Sequence, residues 1–114
     1  MNLRKLLVAL IAIVSTGVLA GPTYTPAQLR QMVAAGKYPD QDSVTSRDVK
    51  ESGFPACRSV ARSMIGQIAD TYPTATIVDT SIAFIAKAWT NDGVVMVACS
   101  EPDRKMVITQ ANYK

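Results

Sequence analysis

Two cysteines constrain this fold more than any other pair of residues. Cys57 lies in a segment whose apolar residues recur every three or four positions, and Cys99 lies in a segment whose apolar residues alternate. The first spacing is typical of a helix and the second of a half-buried strand. A bond between the two sulfurs would therefore hold a helix against one face of a sheet.

The helix is predicted between Gly53 and Pro73. Its apolar residues form one stripe: Phe54, Cys57, Ala61, Met64, Ile65 and Ile68. Arg58 and Arg62 lie one turn apart on the opposite, polar side. Such a pair can clamp an anionic group, but charged residues on this side of a helix are more often simply solvated.

Turn signals divide the rest of the chain into strands. Alternation begins near Ala75 and continues to the first hairpin turn, which is long for one strand, so Asp79–Ser81 are expected to form a bulge or bend within it. Asp92-Gly93 predicts a two-residue hairpin turn, and Pro102-Asp103 predicts a second tight turn. We expect a three-stranded antiparallel meander, with Val44–Lys50 as a candidate fourth strand.

These turns also predict the register. A loop at Asp92-Gly93 places Trp89 opposite Met96 and Ala86 opposite Cys99, and the second turn places Cys99 opposite Met106. One face of the sheet is then apolar on all three strands: Ile82, Phe84, Ala86, Ala88, Val95, Val97, Cys99, Met106 and Ile108. The main helix is predicted to pack on this face through a Cys57–Cys99 disulfide, which gives an α+β fold.

The second face of the predicted sheet is also apolar, since it carries Ile85, Trp89, Met96 and Val107. Antiparallel sheets usually present polar residues on the face opposite their core. Three explanations are open. A helix from the N-terminal part of the chain covers this face, the face binds another protein or a second copy of this one, or it is merely less polar than usual.

A short N-terminal helix is available for the first explanation. Thr25 suits its cap, Pro26 its first turn and Gly36 its end. Its apolar residues share one side: Leu29, Met32 and Val33.

The first twenty residues have the features of a secretory signal peptide. Two basic residues precede an apolar run at Leu6–Val14, and the small residues Val18 and Ala20 predict cleavage before Gly21. A transmembrane anchor is the alternative, but the run is short for a membrane span. We expect an exported protein, periplasmic or secreted, without membrane attachment after cleavage. An even number of cysteines in such a protein predicts a disulfide.

The mature chain is expected to be one domain. Residues 21–52 supply the short helix and an edge segment, and residues 53–114 supply the main helix and the three-stranded core. Loss of two basic residues with the signal leaves 10 Lys and Arg against 9 Asp and Glu, a net charge of +1. A nearly neutral domain has no broad attraction for nucleic acid.

The absence of histidine excludes several chemistries. Ser-His-Asp and Cys-His catalysis and His-ligated zinc all require it, and no glycine-rich phosphate loop is present. We therefore expect neither an enzyme nor a cofactor-binding or metal-binding protein.

Binding to another protein is the favoured functional hypothesis. The candidate binding face is the second face, at Ile85, Trp89, Met96 and Val107. The class includes inhibitors, immunity-type proteins, exclusion factors and accessory subunits of envelope complexes. One alternative is a self-associating structural subunit of an envelope assembly. The other is a carrier of a small anionic ligand, held by Arg58 and Arg62.

Overall fold

A computed structural model describes residues 21–50 and 53–114. The predicted signal peptide, residues 1–20, lies outside the described residues, as do residues 51 and 52 of the predicted edge segment. The elements in chain order are helix α1 (Pro26–Ala34), strand β1 (Gln41–Lys50), helix α2 (Phe54–Ala69) and strands β2 (Thr74–Asp79), β3 (Ala83–Trp89), β4 (Gly93–Ser100) and β5 (Lys105–Tyr113). The α+β class is confirmed.

The five strands form one antiparallel sheet in the order β1-β5-β4-β3-β2. This is one strand more than the largest number predicted. The expected bend at Asp79–Ser81 is instead a full turn that separates β2 from β3. The Thr80 hydroxyl accepts hydrogen bonds from the Ile82 and Ala83 amides at 3.3 and 3.0 Å, and the Thr80 amide donates to the Ala83 carbonyl. Ile82 therefore lies exposed in a turn and not on the core face.

The first hairpin differs from prediction by one loop position. Thr90 donates its amide to the Gly93 carbonyl, so the loop residues are Asn91 and Asp92, and Trp89 pairs with Val94. The partner of every β3 residue thus moves by two positions. Side chains alternate with a period of two, so each residue keeps its predicted face. A Cβ atom at Gly93 would collide with the Ala111 carbonyl, which explains why glycine follows this loop.

The second hairpin has the predicted register. Cys99 pairs with Met106, and Val97 pairs with Ile108. Helix α2 covers this face of the sheet, which we call the helix-covered face. The disulfide joins Cys57 to Cys99, whose Cα atoms are 6.0 Å apart. The core between helix and sheet consists of Phe54, Cys57, Ala61, Ile65, Phe84, Ala86, Ala88, Val97, Cys99 and Met106.

Helix α1 begins and ends at the predicted signals. Thr25 and Gln28 form a reciprocal capping box, which satisfies two amide donors of the first turn. At the other end, Gly36 has a φ of 71°, and Lys37 donates its amide to the Met32 carbonyl. This Schellman-type ending needs a left-handed residue, a conformation that glycine adopts without a steric penalty. Neither helix in the described part of the chain is long and apolar enough to cross a membrane.

Strand β1 pairs with β5 over most of its length and forms one edge of the sheet. It begins at Gln41, three residues before the predicted start, and has a bulge between Gln41 and Val44. Its side chains are exposed except for those of Gln41 and Val49, which are half-buried. A strand this polar gains little from side-chain burial, so it is held mainly by backbone hydrogen bonds to β5, together with Val49 packed against the core and the Asp48–Lys105 ion pair.

Candidate functional site

Trp89 is buried on the second face of the sheet, 3% exposed, beneath the chain's own N-terminal segment, residues 21–40. Leu29 of α1 is fully buried against Trp89, Val94 and Tyr113. The Tyr38 ring stacks on the indole with centroids 5.3 Å apart. At this end of the second face, the chain's own N-terminal helix therefore covers the sheet, as the first of the three explanations expects. Trp89 is not available to a partner in this structure.

Polar contacts hold the N-terminal segment beside the sheet. The Tyr24 amide donates to the Asn91 carbonyl at 2.9 Å, and the Arg30 guanidinium donates to the Thr71 carbonyl at 2.7 Å.

Beneath this segment, the Tyr113 hydroxyl donates to the Thr90 carbonyl at 2.7 Å. Burial, followed by the charge of Asp92, raises the pKa of Tyr113 to about 12.

The rest of the second face is apolar and lies outside both clusters of buried residues. Val78, Ile85, Ala98 and Val107 pair in one row across β2, β3, β4 and β5, and Met96 lies one row further towards Trp89. All five are half-buried. We call these five residues the open patch. Ile85, Met96 and Val107, three of the four residues predicted for a binding face, are thus brought together, and Trp89 is separated from them.

The dimensions of the open patch follow from strand geometry. Its row crosses three strand spacings, about 14 Å, and Met96 extends it by two residues, about 7 Å. A helix with its side chains is about 10–12 Å in diameter. The row is therefore slightly longer than the diameter of one helix, so the open patch can seat one helix.

Charged residues border the open patch on two sides. Lys87 pairs with Met96, and its ammonium lies 5.4 Å from the centre of the Trp89 ring. On the β1 side, Lys105 and Asp48 form an ion pair at 3.0 Å. The hydrogen bond and charge of Asp48 raise the pKa of Lys105. Asp48 already has a basic partner, whereas Lys87 contacts the Trp89 ring and can also meet an acidic group.

Arg58 and Arg62, predicted to contact an anion, both contact the carboxylate of Asp79. The Arg62–Asp79 distance is 2.9 Å. Desolvation alone would raise the pKa of Asp79, but hydrogen bonds and charge from the two arginines outweigh it, so the pKa is lowered. The predicted clamp geometry exists, and an acidic side chain of the same chain occupies it. An external anion would have to displace Asp79.

Two contacts had only weak signals in the sequence. Asp79 lies in a different element from Arg58 and Arg62, and a single aspartate near a turn usually indicates only the turn. Tyr38 follows the predicted N-terminal helix in a loop, so no periodicity links it to Trp89. Both pairings depend on how α1 and α2 dock, which local patterns do not specify.

Other site types have little support within residues 21–50 and 53–114. No group of three or more metal-ligating side chains lies together there. The disulfide is typical of an oxidising, non-cytoplasmic environment. A scan against protein-family models finds no match, and searches of curated proteins and of solved structures find none either. The open patch is a contiguous apolar surface that lies outside both clusters of buried residues.

Proposed function

We propose that the chain is a small exported protein, disulfide-stapled and periplasmic or secreted, that acts by binding another protein through the open patch. The observation that carries this proposal is the unbroken apolar row of Val78, Ile85, Ala98 and Val107 on a face whose other end is covered by α1. Contiguous apolar surface marks an interaction site when a partner extends it, and the open patch supplies the apolar row for such a contact.

The partner is expected to present an amphipathic helix. The open patch can seat one helix, and Lys87 borders it. An apolar stripe flanked by an acidic residue would therefore complement it in both polarity and charge. Such a complex buries the half-buried side chains completely, and that burial is the main favourable contribution to binding.

Capture experiments with a matched pair of variants test this proposal. Val107→Glu places a carboxylate within the open patch, whereas Val60→Glu makes the same change on the exposed side of α2, where Val60 is 41% exposed. The mature wild-type protein should capture a specific envelope protein, Val60→Glu should capture it equally, and Val107→Glu should lose it. Circular dichroism would confirm that both variants fold.

The result also separates this function from the alternatives. If wild-type protein purified alone self-associates, and Val107→Glu makes it monomeric, the open patch is instead the contact of a self-associating subunit. If capture persists in Val107→Glu and in a second variant, Ile85→Ser, the open patch is not the binding site and the proposal fails.

The anionic-ligand alternative has a test of its own. Asp79→Asn would free Arg58 and Arg62 from their internal carboxylate. A carrier should then bind a small anion more tightly than the wild type, measured by calorimetry with inorganic phosphate as the probe. We favour protein binding because the arginines already have a partner, whereas the open patch has none among the described residues.

A further inference from the structure

The outer edge of strand β1 is a second candidate interaction surface, separate from the open patch. Edge strands present unpaired backbone amides and carbonyls, and bulges, prolines, charged side chains and short length normally protect them. At the opposite edge of the sheet, β2 has six residues, follows Pro73 and contains a bulge between Thr76 and Val78. That edge is therefore protected.

Strand β1 is long and has neither a bulge nor a proline over most of its length, and its charged residues Arg47, Asp48 and Lys50 are of both signs. Its bulge lies at its start, and the residues from Val44 to Lys50 pair with β5 in regular register. No proline interrupts them, and no strand among the described residues pairs on their outer side. Val44 is 57% exposed. A regular seven-residue edge is thus open to another strand.

We propose that a second copy of this chain pairs its β1 with this edge, antiparallel, with Ser46 opposite Ser46. The two sheets then form one ten-stranded sheet around a two-fold axis normal to it. Such an axis keeps each face continuous, so residues that face each other across the interface must come from the same face of β1.

Charge selects the Ser46 register from the alternatives. Three symmetric registers pair at least five of the seven regular residues with same-face partners, and they are centred on Ser46, Arg47 or Asp48. The Arg47 register sets arginine directly against arginine, and the Asp48 register sets aspartate against aspartate. Like charges directly opposite are destabilising in a sheet.

The Ser46 register avoids both conflicts. It pairs Thr45 with Arg47 and Val44 with Asp48, and no like charges face each other in the regular part of the strand. The acidic residue at the start of β1, Asp42, then lies near the basic residue at the end of its partner, Lys50. The two ends of the interface are thereby electrostatically complementary.

The two-fold axis also relates the open patches of the two copies. Because the face is continuous, both open patches lie on the same side of the joined sheet. A dimer would present two copies of the open patch to one partner assembly and could bind it bivalently.

Cysteine cross-linking tests the pairing directly. Directly opposite residues in an antiparallel pair have Cα atoms about 4.5–5.5 Å apart, which suits a disulfide. Ser46→Cys should therefore cross-link to its copy in a redox buffer. Val44→Cys should not, because its copy lies opposite residue 48, four residues or about 13 Å away along the strand.

A mixed experiment completes the test. Val44→Cys combined with Asp48→Cys should give a mixed cross-linked dimer, which neither variant forms alone. With paired thiols at an effective millimolar concentration and micromolar protein, Ser46→Cys should cross-link roughly 1,000-fold faster than Val44→Cys. Equal rates for the two single variants, or a wild-type protein that remains monomeric by sedimentation at millimolar concentration, would overturn the proposal. Neither outcome depends on whether the open patch binds a partner.

Discussion

The substitution Leu29→Ala tests how the N-terminal segment covers Trp89. Leu29 is fully buried between α1 and the second face, where it contacts Trp89, Val94 and Tyr113. The substitution removes three carbons, and at about 0.8 kcal/mol each the lost transfer free energy is about 2.4 kcal/mol. The residual cavity raises the expected cost to about 3–5 kcal/mol.

This cost is comparable with the sum of the other contacts that hold the segment. Among the described residues, these contacts include three hydrogen bonds, from Tyr24, from Arg30 and from the Lys114 amide to the Asp40 carbonyl, and two aromatic pairs, Tyr38 with Trp89 and Tyr24 with Tyr113. A net hydrogen bond contributes about 1 kcal/mol and an aromatic pair about 1 kcal/mol. We therefore expect the segment to detach in Leu29→Ala before the disulfide-bonded core unfolds.

Fluorescence can follow this detachment because Trp89 is the only tryptophan. Its emission should shift to the red in Leu29→Ala without denaturant, while the far-ultraviolet circular dichroism of the sheet persists. Gln31→Ala is the matched control, since Gln31 lies exposed on the same helix, and it should change stability by less than about 0.5 kcal/mol. Unchanged emission together with an unchanged urea midpoint in Leu29→Ala would refute the proposed cover.

Three further predictions concern the disulfide and two titrating groups. The double variant Cys57→Ala/Cys99→Ala opens a loop with a sequence separation of 42. Chain entropy predicts that the free energy of unfolding, measured in urea, falls by about 4 kcal/mol. Thiol labelling of the native wild-type protein would contradict the disulfide. The pKa of Asp79 is lowered from 3.8, so its contact with the arginines stabilises the fold above that pH and is lost as pH falls through the folded-state value. Asp79→Asn should flatten this acidic limb of a thermal-unfolding profile, and an unaltered limb would argue against the contact. The pKa of Tyr113 is raised from 10.0 to about 12. The neutral phenol therefore stabilises the fold fully below pH 10, and this stabilisation is lost as pH rises through about 12. An absorbance titration of the wild type against Tyr113→Phe would detect the raised pKa.

The parts of the fold that sequence predicted well are those with strong local periodicity. The stripe from Phe54 to Ile68 placed Cys57 towards the sheet, and alternation placed Cys99 towards the helix. The two patterns agree with a single packing, so the disulfide could be predicted from them. The assignment of residues to the two faces is correct although the loop predicted at Asp92-Gly93 is wrong. The error moved the register by an even number of residues, which leaves each side chain on its face.

The parts that sequence missed depend on specific turns or on distant contacts. Thr80 closes a turn with its hydroxyl, and the alternation around it gave no reason to divide one long strand into β2 and β3. The extent of β1 was underestimated because its residues are polar and its partner, β5, is distant in the chain. Which residues of the second face remain open depends on where Leu29 docks, and α1 alone does not determine that.

Binding of a partner to the open patch is tested most directly by a map of the partner's footprint on this chain. Backbone NMR shifts of the mature protein would be recorded as the captured envelope protein is added. If the partner binds the open patch, the largest changes fall on it and its border, at Ile85, Lys87, Met96 and Val107, with α2 largely unaffected. Changes centred on the exposed side of α2, around Ser59 and Val60, with the open patch unperturbed would contradict it.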